Sequence, residues 1–144
     1  MDKQLAKYFF EEASRAFAFV MNEYSFAAPL FEVDDEINFA FVIFTGKNLA
    51  IECILDERET DIDCKIARVF GGEKTSHYAV DESGVRVREG LASLVRRHGV
   101  RDRLFERVGG LELHERIRIT LADFAQMLKK YGQEVLNDSP TALV

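Results

Sequence analysis

Residues 49–70 read LAIECILDERETDIDCKIARVF, two alternating runs around a charged loop, and the way these runs pair decides the fold. With Leu55 opposite Ile62 across the loop Glu57 to Thr60, Cys53 faces Cys64 and Ile51 faces Ile66 on one side, while Glu52 faces Lys65 on the other. Apolar meets apolar, and acid meets base. A slip of one residue would set Lys65 or Asp63 against the inward set Leu49, Ile51, Cys53 and Leu55, burying charge without a partner. The stretch is therefore read as an antiparallel hairpin in that register.

Upstream, Ile37 to Phe44 is apolar on both faces, as a strand in the middle of a sheet is, and the turn Thr45-Gly46-Lys47-Asn48 returns the chain into the hairpin. Tyr24 to Val33 reads as extended. Pro29 there removes a ladder donor and the apolar face changes phase between Leu30 and Phe31, so an edge strand with a bulge is expected. From Lys3 to Met21 the apolar residues Leu5, Phe9, Ala13, Ala16, Phe17 and Val20 lay one stripe along a helix.

Downstream, Gly71-Gly72 breaks the last long strand, and Ser76 to Val80 reads as a short fifth strand before the turn Asp81-Glu82-Ser83-Gly84. The period then changes. Val87, Leu91, Leu94 and Val95 mark a helix ending at Gly99; Leu104, Phe105 and Val108 mark a shorter one ending at Gly109-Gly110. Ile117, Leu121, Phe124, Leu128 and Tyr131 mark a long helix ending near Gly132, and Asp138 to Val144 reads as a frayed tail. The expected fold is one α+β domain over residues 1–144. It has an N-terminal helix, an antiparallel meander of four to five strands, and three C-terminal helices packed on one face of the sheet.

Composition agrees with a folded chain: 144 residues is an ordinary single-domain length, and 47% hydrophobic with 31% charged residues lies far from the disordered corner. The net charge of −6 repels phosphate, which disfavours nucleic acid and anionic membrane surfaces as partners. Cys53 and Cys64, without a CxxC, make neither a disulfide framework nor a zinc knuckle and read as buried thiols in a reducing compartment. The longest uncharged run near the N-terminus, Ala16 to Asn22, is too short for a signal or a membrane span, so a cytoplasmic location is expected.

Chemistry-bearing motifs are absent. His77, His98 and His114 are scattered without metal-ligand spacing, and Ser76 and His77, adjacent on an expected strand, point to opposite faces. Gly71-Gly72-Glu73-Lys74-Thr75 lacks the glycine before its lysine and the helix that a phosphate loop needs. No catalytic residue, metal ligand or cofactor is assigned. An enzyme assembled from distant residues, for example His77 with acidic neighbours, stays an alternative.

Charge placement is more informative. Alternate turns of a meander lie at one end of the sheet, so Asp34, Asp35, Glu36, Glu57, Glu59, Asp61, Asp81 and Glu82 should form one acidic rim suited to a basic protein partner. Between Arg86 and Arg118 nine arginines meet five acids, and Arg96, Arg97, Arg101 and Arg103 on two short helices hinged at Gly99 give a nucleic-acid-binding alternative. Pro29 guards one sheet edge while the other has no such guard, which leaves a homodimer open.

The last helix reads Leu121-Ala-Asp-Phe-Ala-Gln-Met-Leu-Lys-Lys-Tyr-Gly-Gln-Glu-Val-Leu136, followed by Asn137-Asp138-Ser139. Together with the amphipathic first helix and the meander, this resembles small uncharacterised bacterial α+β proteins found near toxins, some of them immunity proteins. The resemblance implies a non-enzymatic protein whose partner is a toxin, here a basic one.

Overall fold

The computed structural model describes residues 1–70, the backbone of Glu73–Lys74 and residues 87–144. Helix α1 spans Lys3–Ala16, and its first turn is closed by the Asp2 side chain, which accepts from the amides of Gln4 and Leu5. The expected single helix to Met21 is broken at Phe17, and a short α2 (Ala18–Asn22) follows. Phe17 is fully buried and stacks on Phe19 and Phe44, so its packing outweighs continuation of the helix.

Strands β1 (Leu30–Asp34), β2 (Phe39–Thr45), β3 (Leu49–Asp56) and β4 (Asp61–Phe70) form an antiparallel meander in chain order. The hairpin of β3 and β4 has the register expected from side chains, with Leu55 opposite Ile62, Cys53 opposite Cys64, Ile51 opposite Ile66 and Glu52 opposite Lys65. Two short strands extend the sheet beyond it, β5 (Glu73–Lys74) and β6 (Arg88–Gly90), both antiparallel to β4. The expected strand Ser76 to Val80 and the turn Asp81 to Gly84 lie outside the described residues.

At the first edge, the strand is shorter than Tyr24 to Val33 and carries no bulge: Leu30 to Asp34 pair one for one with Ile43 to Phe39. The apparent change of phase at Leu30 and Phe31 arises because both faces of the neighbouring strand are apolar. Leu30 lies beside Ile43 on one face, and Phe31 beside Val42 on the other. Pro29 lies one residue before the strand and so guards none of it.

Downstream of residue 86 the structure corrects the helix reading. Val87 to Gly90 do not open a helix, because β6 takes Arg88–Gly90, and α3 is confined to Leu91–Arg97, capped by His98 and followed by Gly99 with φ of +96°. Leu104, Phe105 and Val108 belong to an irregular segment, with no helix between residues 100 and 110. Phe105 instead meets Phe124 edge-on. The long helix α4 (Leu113–Tyr131) and one further turn, α5 (Gln133–Leu136), complete the chain's helices among the described residues.

The terminal residues are not a frayed tail. Ala142 and Leu143 are buried in the main core. Asp138 accepts from the amides of Lys47, Asn48 and Leu49 at 2.6, 3.1 and 2.8 Å, closing the turn between β2 and β3. Gly46 allows this approach, since a Cβ there would lie 2.8 Å from the Asp138 carboxyl group. These contacts bridge some ninety positions of sequence, which explains why no local pattern announced them.

The main core joins the buried residues of α1, α3, α4 and α5 to Ala40, Val42, Phe44, Leu49, Ile51, Cys53, Leu55, Ile62, Cys64 and Ile66. The alternate strand residues form a second cluster, Phe41, Ile43, Ala50, Ile54 and Val69, with Phe39 packed against it. Cys53 and Cys64 are free and buried in the main core, where the hydrogen-bonding contact with the Cys53 sulfur, and then burial, push the Cys64 thiol up.

Candidate functional site

The corner where β1 turns into β2 meets the corner where β3 turns into β4. The Glu57 amide donates to the Asn38 carbonyl at 3.0 Å, and Arg58 Nη2 donates to the Glu36 carbonyl at 3.2 Å. Each corner contains one non-glycine residue with positive φ, Asn38 at 56° and Thr60 at 50°, which tightens the reversal. Asp34 accepts from the Glu36 amide at 3.0 Å and Asp56 from the Glu59 amide at 3.2 Å, so part of the acidity is spent on turn geometry.

Asp34, Asp35, Glu36, Glu57, Glu59 and Asp61 are thereby brought to one end of the sheet. Asp81 and Glu82, the third part of the expected rim, lie outside the described residues. The rim also contains hydrogen-bond donors, two of them cationic, that its sequence neighbourhood did not disclose. The N-terminal amine pairs with Asp35 at 3.0 Å, the Asp2 amide donates to Glu57 at 3.1 Å, and Arg116 from α4 donates to the Thr60 carbonyl at 3.1 Å. Glu32, Glu36, Glu59 and Asp61 are exposed and enter no side-chain hydrogen bond or ion pair among the described residues.

Beside this rim runs an apolar strip that sequence reasoning missed. Leu30, Phe31, Val33 and Ile37 are 60, 50, 42 and 44% exposed, and all five residues of β1 are exposed. Glu32, Val33, Asp34, Asp35, Glu36, Ile37 and Phe41 line an open groove of 680 Å³. Ile37 and Phe41 also line an adjoining hollow of 270 Å³ with Phe39, Ile54, Lys65 and Arg88. The alternation Leu30-Phe31-Glu32-Val33-Asp34 was the available signal, since it places acids on the same face as Phe41 and Phe39.

Below the hollow, the Arg88 guanidinium meets Glu52 at 2.6 Å, with both side chains buried. Lys65, expected across from Glu52, is its register partner, but β6 supplies the cation that closes on the carboxylate. Asp63, on the same strand face, is pushed above the usual carboxylate range by burial, against the pull of the Cys64 amide it accepts from.

The four arginines of the alternative site are exposed, and each also donates within the molecule. Arg97 donates to both Glu89 oxygens, at 3.1 and 2.8 Å, and to the carbonyls of Leu143 and Val144. Arg96 donates to the Val100 carbonyl, Arg101 to the carbonyls of Arg96 and Val100, and Arg103 to that of Phe105. The pair of hinged helices that would present them to a groove is not formed. Arg103 also borders a 310 Å³ cleft with Glu106, Asp123 and Lys130, where burial raises the Asp123 carboxyl group above its ordinary range.

His98 ends α3, His114 packs its ring 4.4 Å from that of Tyr8, and His77 lies outside the described residues. Among the described residues, no three His, Cys, Asp or Glu side chains converge as a metal site requires, and no helix is long and apolar enough to cross a membrane. No family model, no curated protein and no solved structure matches the chain.

Proposed function

We propose that this chain is a non-enzymatic protein-binding module, docking a basic partner against the acidic corner and the apolar strip beside it. The observation that carries this reading is the meeting of two acidic turns next to Leu30, Phe31, Val33 and Ile37. Carboxylates raise the encounter rate with a basic surface and set its orientation, whereas desolvated apolar contact supplies most of the holding energy. A basic toxin, the partner implied by the resemblance to immunity proteins, has the required chemistry.

The test is a binding titration with a basic protein or peptide at low and high salt, comparing the native chain with a triple variant Glu32→Ser, Glu36→Ser, Glu59→Ser. The native chain should bind more weakly as salt rises, and the variant should bind more weakly throughout with a flatter salt dependence. Equal affinity of both proteins at both salt concentrations would remove the corner from the function.

A further inference from the structure

Resting on that reading, we infer that the partner docks by strand addition. A basic, alternating extended segment pairs with the outer edge of Leu30–Asp34 and lengthens the sheet by one strand. Among the described residues β1 pairs only with β2, so alternate residues along its other side direct amides and carbonyls away from the sheet. Three common guards of an edge are missing within it. Proline stands at residue 29, outside the strand; five residue pairs run without a bulge; and the strand contains no lysine.

What the edge does contain is acid, and this selects the occupant. In a two-fold antiparallel pairing of β1 with a second copy centred on Glu32, the two Glu32 side chains would face each other and Leu30 would face Asp34. Each copy also brings a net charge of −6. A basic strand reverses every one of these terms. Lys or Arg opposite Glu32 and Asp34 would lie on the face of the acidic groove, while apolar residues opposite Phe31 and Val33 would lie on the other face, where Phe31 already meets Phe10 at 4.9 Å. Read antiparallel to Leu30–Asp34, the complementary pattern is basic, apolar, basic, apolar, apolar.

The probe is a glycine-flanked, end-capped peptide Lys-Val-Lys-Val-Val, used with the full chain and accompanied by two backbone N-methylated forms. One is methylated at the first, third and fifth residues, the other at the second and fourth. Strand pairing uses only alternate peptide amides, so one form should lose about ten-fold or more in affinity while the other binds like the parent. Alternate amides within residues 30–34 should gain protection from hydrogen exchange. Glu32→Lys should lower affinity for the parent about ten-fold and admit instead the peptide Lys-Val-Glu-Val-Val, whose glutamate faces residue 32 while its lysine still faces Asp34. Equal binding of all three peptides without new protection would overturn strand addition and leave basic-partner docking standing. Absence of parent binding at low salt would overturn both. A dimer of the chain with residues 30–34 protected would assign the edge to a second copy and overturn the basic occupant.

Discussion

Glu52 on β3 and Arg88 on β6 meet across the intervening β4, both sealed from solvent, with the Arg88 Nη1 making no hydrogen bond. Removing the arginine leaves a carboxylate in the sheet without that guanidinium, and Arg88→Ala is expected to cost about 3–5 kcal/mol in chemical denaturation. The double variant Glu52→Leu, Arg88→Met should recover most of that loss, because well-packed apolar groups avoid desolvating two charges. Asp63 offers a pH test of the same face. Its folded carboxyl group holds a proton more tightly than the unfolded one, so the protein loses stability as pH rises from the ordinary carboxylate value through the raised one. Asp63→Asn should therefore raise the melting temperature slightly at pH 7, keep the Cys64 amide bond, and lose its advantage below the ordinary carboxylate pKa.

At the scale of elements, the turn Thr45 to Leu49 owes its shape to a residue at the other end of the chain. Asp138→Ala would leave the amides of Lys47 and Leu49 without their carboxylate acceptor, and a loss of about 1–3 kcal/mol is expected, read by denaturation and by faster exchange of those amides. The hairpin of β3 and β4 was legible from side chains because a one-residue slip inverts every face, and a single pattern of Ile, Cys and Leu resists that inversion. The helix at Leu91–Arg97 was legible, but the stretches before and after it, Val87 to Gly90 and Leu104 to Val108, were not. Their apolar spacing suits a helix, but pairing with β4 takes Arg88–Gly90 into the sheet, and the ring of Phe124 draws Phe105 into an irregular path.

For the molecule as a whole, acidity at the β1 edge should govern self-association. Glu32→Val removes the charge from the middle of that edge, and the variant is expected to form dimers in sedimentation at concentrations where the native chain does not. The acidic corner itself was half visible in the sequence: Asp34, Asp35, Glu57 and Glu59 follow from hairpin order. The N-terminal amine and Arg116, which meet this corner, come from 34 and 56 positions away along the chain. The sequence by itself determined the class of fold, the order of the first four strands and the register of the hairpin, since these depend on a period of two and on short turns. Tertiary structure alone decided which apolar residues stay exposed, which cation closes on Glu52 and where the chain's end docks. Those outcomes depend on contacts between distant segments, for which local periodicity carries no information.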